Sequence, residues 1–208
     1  MDIERNVVGE DNSVGSFEAF RDLGVYYTST GNYAQAQEYY EKAAVLWPDE
    51  SGPYVGLGMI SLQNDHLEDA ELAFKVACRL DRNCAKAYAG HAMIAQKRAD
   101  YEKAFEMYLK CLELDTDNLS ALLGLFQTSC QMGSFARVIY YLEVYLTMHP
   151  DDSSVMFSLA ALYMKEDNFA KSRDVLLNII ELYPDNKEAA NLLEEVEHNL
   201  AHLKPAGV

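Results

Sequence analysis

The strongest constraint on this chain is its periodicity. Residues 20 to 48 read FRDLGVYYTSTGNYAQAQEYYEKAAVLWP, two short amphipathic stretches hinged at Thr30-Gly31-Asn32. Shifting by 34 residues carries Phe20, Leu23, Gly24, Tyr27, Ala36, Tyr40, Ala43 and Pro48 onto Tyr54, Leu57, Gly58, Ser61, Ala70, Phe74, Ala77 and Arg82. A second shift gives Tyr88, His91, Ala92, Ala95, Ala104, Tyr108, Cys111 and Thr116. Two further copies end at Pro150 and Pro184. Apolar residues three and four apart predict helices, and the small residues mark where paired helices touch. A unit this short cannot bury its own apolar face, so the copies must stack.

The 34-residue period, the aromatic-x2-Leu-Gly-x2-Tyr opening, the central alanines and the closing proline resemble the tetratricopeptide repeat. The resemblance spans residues 17–203. It implies an all-α, right-handed α-solenoid of five helical hairpins plus a C-terminal capping helix. The corresponding divisions are 17–50, 51–84, 85–118, 119–152 and 153–186 for the repeats. A cap at 187–203 follows, with a mobile tail at 1–16 and a disordered end at 204–208.

Each repeat reads as helix A, tight turn, helix B and loop. The turns fall at Gly31-Asn32, Asp65-His66, Ala99-Asp100, Gly133-Ser134 and Asp167-Asn168. Proline closes helix B because it lacks the amide proton and restricts the residue before it. Asp49, Asn83, Asp117, Asp151 and Asp185 are expected to cap the following helix A. The cap at 187–203 puts Ala189, Leu193, Val196, Leu200 and Leu203 on one stripe, which covers the terminal repeat.

The fourth repeat departs from the pattern. Phe126 stands where the others carry Gly24, Gly58, Ala92 and Ala160, and Val138 replaces Ala36, Ala70 and Ala104. Tyr145 replaces Ala43, Ala77 and Cys111, while the aromatic columns shrink to Leu122 and Leu142. Exchanging large for small across one interface predicts a repacking that conserves volume.

Lys+Arg 17 against Asp+Glu 33 gives a net charge of -16, which argues against nucleic acid or an anionic membrane as partner. Neither a basic, apolar leader nor a run long enough to span a bilayer is visible. Cys78, Cys84, Cys111 and Cys130 have no CxxC spacing, which favours a reducing cytoplasm. Histidines 66, 91, 149, 198 and 202 are not spaced with a nucleophile, and no phosphate loop or metal-ligand cluster appears. The chain therefore reads as a non-enzyme without cofactor. His198 and His202 lie four apart on one face beside Glu194 and Glu195, but without further ligands they read as a solvated helix face.

Function is expected on a second stripe of helix A, turned away from the core stripe. It comprises Val55, Met59, Leu62 and Gln63, then Lys86, Met93, Gln96 and Lys97. It continues with Leu123, Gln127 and Gln131, and ends with Phe157, Ala161, Met164 and Lys165. Residues 52–64 and 119–132 contain no charge, although the whole chain is strongly acidic. In tetratricopeptide proteins this face lines a concave groove, so the resemblance implies a protein or peptide partner. An amphipathic helix or extended segment would be held there by apolar anchors, with methionine supplying adaptable surface and lysines a slight positive tilt. One subclass of the family clamps the C-terminal carboxylate of heat-shock chaperones. Only Arg21 and Lys86 have that chemistry here, and Val25, Val55, Gly56, Ala89 and Gly90 stand near the other places. The first functional expectation is an adaptor, scaffold or chaperone. The alternative is a self-assembling homo-oligomer with tail or cap in a neighbour's groove.

Overall fold

The computed structural model describes residues 10–203, with side chains from 17 to 202. Eleven α-helices follow one another among the described residues: α1 Glu10–Ser29, α2 Tyr33–Leu46, α3 Ser51–Gln63, α4 Leu67–Leu80, α5 Ala85–Lys97, α6 Tyr101–Leu114, α7 Leu119–Met132, α8 Ala136–Met148, α9 Ser153–Lys165, α10 Phe169–Leu182 and α11 Lys187–Leu203. They form five antiparallel hairpins and a closing helix, the all-α repeat architecture that the period predicts. None is long and apolar enough to cross a membrane.

The turn inside each hairpin is set by one left-handed residue. Gly31, Asp65, Ala99, Gly133 and Asp167 have φ of 74, 62, 58, 68 and 55°, and each stands 34 residues after the last. The next amide bonds back to the carbonyl five residues earlier, from Asn32 to Tyr27, His66 to Ser61, Asp100 to Ala95, Ser134 to Ser129 and Asn168 to Tyr163. This is the Schellman closure, which satisfies carbonyls left open at a helix end. Asn32, Asp100 and Asn168 then cap helix B, each accepting from the amide three residues on.

Helix A is capped one residue later than expected. Asn118 accepts from Ala121, Asp152 from Ser154 and Val155, and Asn186 from Ala189. Asp117, Asp151 and Asp185 sit in the preceding turn, one position too early to face the opening amides. Asp117 instead meets the His149 ring. Glu50 and Cys84, at the matching position in the second and third repeats, make no side-chain cap bond.

The expected tail is also corrected. α1 begins at Glu10, so residues 10–16 are helical; once a helix is nucleated by packing, each further residue adds a backbone bond that offsets the cost of ordering it. Residues 1–9 and 204–208 lie outside the described residues.

The helices divide into two compact units, residues 1–115 and 116–208. In the first, an aromatic ring from helix B is pinned between glycines of two successive A helices. A Cβ built on Gly24 would stand 2.6 Å from the Tyr40 ring, and one on Gly56 2.4 Å. The Phe74 ring stands 2.7 Å from a Cβ at Gly58 and 2.3 Å from one at Gly90. Real side chains do not approach so closely, so the glycines are what lets the helices meet. Ala36, Ala43, Ala70 and Ala77 complete this contact and are fully buried.

In the second unit Val138, Leu142 and Tyr145 are buried on α8, and Leu122 is buried on α7. α7 and α8 approach closely over a shorter stretch than α3 and α4 or α5 and α6. The exchange of large for small is therefore more than a volume-neutral repacking, because bulk at the Gly and Ala positions holds the two helices apart. α9, α10 and α11 pack more normally, around Met156, Ala160, Leu176, Ile179, Ala189 and Val196.

A candidate groove in the first unit

The second stripe is brought together most clearly between α3 and α5. Met59, Leu62, Gln63, Met93, Gln96 and Lys97 line one groove of about 570 Å³. All six belong to the expected stripe. In this unit α1, α3 and α5 lie side by side in the same direction, so residues 34 apart face the same way. Met59 is 37% exposed, Met93 is half-buried against the core of Phe74 and Ile94, and Leu62 forms the buried part of the lining. Val25, one period before Met59, continues that column on α1 and is exposed; subtracting 34 from Met59 would have found it.

The polar end of the groove is held from outside the stripe. The Tyr108 hydroxyl, on α6, donates to Gln96 Oε1 at 2.8 Å, which fixes the orientation of that amide. Burial pushes the Tyr108 phenol up to about 12, so it stays a donor. Lys97 Nζ stands 2.8 Å from Asp65 Oδ1, at the left-handed turn of the second hairpin. That hydrogen bond and charge hold the Asp65 carboxyl below its ordinary range. The expected positive tilt is corrected accordingly, since the Lys97 charge is paired locally. Neither partnership has a periodic signal: Lys97 and Asp65 are 32 residues apart and Gln96 and Tyr108 are 12.

Arg98 lies just beyond, bonded to Glu71 at 2.7 Å and 3.6 Å from Glu68. Lys75 adds a second contact to Glu71 at 3.0 Å. Arg98 first and Lys75 next hold the Glu71 carboxyl down to about 2. The Arg98 pairs tie the second hairpin to the third and leave the groove floor to methionine, leucine and amides.

Other expected residues stand differently. Val55 is buried at 9% exposure in the core with Phe74, Ala77, Ala87 and Ile94, so it is a packing residue. α3 has neighbours on several sides, which widens its buried arc beyond one stripe. Lys86 is exposed at the start of α5, away from the groove lining. In the second unit Leu123 is 43% exposed, with Gln127 and Gln131 exposed one and two turns on. Phe157 and Met164 pack against the core around Met156 and Leu176; Ala161 is half-buried and Lys165 exposed. Phe157 thus carries part of the fold.

Among the described residues no group of three or more His, Cys, Asp or Glu could hold a metal ion. His91 is half-buried against the Phe74 ring, and burial lowers its pKa. Burial raises the Cys78 thiol to about 11 and Cys111 to about 12, the behaviour of packing thiols rather than nucleophiles.

Comparison with known proteins bears on the repeat and the fold. Models described as Tetratricopeptide repeat match residues 21–83, 85–118 and 131–196. The human protein O-mannosyl-transferase TMTC1 is 23% identical over 190 residues, covering 89% of this chain and 21% of its own length. The chain spans about a fifth of the length of the curated relatives that it matches over most of its residues. Among solved structures, Pseudomonas aeruginosa PilF superposes with a TM-score of 0.70 at 19% identity, covering 94% of this chain and 95% of its own. YrrB, described as a TPR protein with an unusual peptide-binding site, gives 0.61 at 16% identity, covering 84% and 90%.

Proposed function

Because the chain belongs to the tetratricopeptide repeat family, we propose that it is a protein-interaction module whose first unit holds a partner segment between α3 and α5. The carrying observation is that six residues of the second stripe line a single groove there. Met59 and Met93 supply an apolar seat whose flexible thioethers adapt to the partner's anchor. Gln63, Gln96 and Lys97 offer polar contacts at one end, and Tyr108 fixes Gln96 before binding, so less ordering is left to be done on association. An extended segment or an amphipathic helix with one apolar anchor fits this arrangement. Leu123, Gln127 and Gln131 form a second uncharged surface in the other unit. The role is that of an adaptor or scaffold, or of a chaperone for a client segment. The free cysteines support a cytoplasmic setting.

The test pairs binding with stability. Met93→Glu places an acid in the groove and should weaken the partner by about 1–3 kcal/mol, with a smaller loss of melting temperature than the core change Leu159→Ala. Glu102→Lys, on exposed α6, should alter only the salt dependence of association. A quantitative pull-down of the native partner in which Met93→Glu binds normally and Glu102→Lys does not would move recognition to the acidic helix B surface.

A further inference from the structure

On α11 the two imidazoles of His198 and His202 meet at their tips. Nε2 of one lies 3.0 Å from Nε2 of the other, with ring centroids 4.3 Å apart and the rings nearly perpendicular. Both side chains are exposed. Two nitrogens at about 2.05 Å from one ion would be about 2.9 Å apart at a right angle and about 3.3 Å apart at a tetrahedral one. The observed separation, also that of an N–H···N hydrogen bond, is nearer the right-angle value.

We infer that His198 and His202 form a two-histidine half-site for a divalent copper or nickel ion. Square-planar and tetragonal centres with nitrogen ligands are the preference of these ions, whereas zinc favours the tetrahedron. The ion takes the place of the proton held between the two Nε2 atoms, which moves to Nδ1 of the donor imidazole, and the side chains keep their approximate positions. Its remaining coordination positions open to solvent, since no third His, Cys, Asp or Glu donor joins the pair among the described residues. The setting favours a cation. α11 ends at Leu203, which puts His202 in its last turn, where the helix dipole is negative. Glu194 and Glu195 lie one turn before His198, and Arg173, reaching across from α10, is neutralised by Glu197.

Titration of the untagged chain with Cu2+ or Ni2+ tests this, read by calorimetry and by the copper EPR spectrum. Excess Mg2+ is kept in the buffer to occupy surface carboxylates, which suit hard cations and not the imidazole pair. One ion per chain is expected, with nitrogen hyperfine structure and affinities in the order Cu2+, Ni2+, Zn2+. His198→Gln or His202→Gln should each weaken binding about tenfold or more, because the second donor then no longer acts within the same molecule. His202→Gln combined with Asn199→His keeps two histidines but puts them on different faces, and should bind no better than either single variant. Circular dichroism checks that each variant is folded. Binding that is lost in Mg2+, that ignores the histidine substitutions, or that is tightest for Zn2+ overturns the proposal.

Discussion

In the second hairpin a Cβ at Gly58 would stand 2.7 Å from the Phe74 ring, while the matching position of the fourth is filled by Phe126 itself. The first arrangement puts the bulk on helix B and the gap on helix A. The second puts Phe126 on α7, with Val138 and Tyr145 where the first three B helices carry Ala or Cys, and α7 and α8 are held apart. The same helix–turn–helix length tolerates both because the turn is fixed independently. Gly31, Asp65, Ala99, Gly133 and Asp167 all hold the left-handed conformation, whichever side chains fill the contact. Turn geometry thus preserves the repeat, and the side chains decide how tightly its helices meet.

The largest expected effect tests the glycine contact directly. Gly58→Leu should lose about 3 kcal/mol or more, because Phe74 is fully buried and has no room to yield. Phe74→Leu alone creates a cavity. In combination with Gly58→Ala it imitates the smaller column of the fourth hairpin, and the pair should couple favourably by about 1–2 kcal/mol. Urea midpoints at constant m-value measure both. Additive losses in the double variant would break the comparison, because the two positions would then not share one contact.

Much of this was legible in the sequence because it repeats. A period of 34 fixed the positions of the turns, the small-residue contacts and the part of the stripe that lines the candidate groove. Interactions that do not repeat were hidden. Asp65 pairs with Lys97 in one interval alone, and Tyr108 finds Gln96 only because that repeat carries both a hydroxyl on helix B and an amide on helix A. The helix A caps were misplaced by one residue because Asp117-Asn118 and Asp151-Asp152 each offer two adjacent acceptors, and only backbone geometry selects the second. Spacing puts Phe157 on the groove stripe, but its size lets it reach the core.

Polar ties between hairpins offer the next test. In the first unit Glu71 is bound by Lys75 and Arg98 and lowered from an ordinary 4.5 to about 2. In the second, Glu143 accepts from the Tyr163 hydroxyl and lies 3.6 Å from Lys171, with both charged side chains largely exposed. A lowered carboxyl contributes stability that is complete above the unfolded pKa and is lost as pH falls through the folded one. Glu71→Gln should therefore cost about 1–2 kcal/mol at neutral pH, allowing for screening. That difference should shrink between pH 4.5 and about 2. Glu143→Gln should cost less than half as much. A Glu71→Gln penalty that is constant across this range would remove the ion pairs as its cause.

Ser129 marks a smaller imperfection of the fourth hairpin. Its side chain is fully buried on α7 and its hydroxyl has no hydrogen-bond partner, whereas the same column in the third repeat holds Ala95. A buried hydroxyl without a partner forfeits its hydration for nothing in return. Ser129→Ala should raise stability by about 1 kcal/mol, read as a later urea midpoint. The reverse change, Ala95→Ser, should lower it by a similar amount if the two columns are equivalent.

The smallest effect isolates the turn from the packing. Ala99 and Gly133 occupy equivalent left-handed positions, with φ of 58 and 68°. The left-handed region is unfavourable by roughly 1–2 kcal/mol for a residue with a Cβ. Glycine avoids that strain but gives the unfolded chain more freedom, which returns roughly 0.4–1 kcal/mol. Ala99→Gly should therefore stabilise by about 0.5 kcal/mol, and Gly133→Ala should destabilise by a similar amount. A Cβ at Gly133 would meet nothing within 4 Å, so no steric contact confuses the reading. Urea melts of the two single variants and their double measure the effect. Opposite shifts that cancel in the double would show that the turn acts by backbone conformation alone. Shifts of the same sign would mean that packing around the fourth hairpin reaches its turn as well.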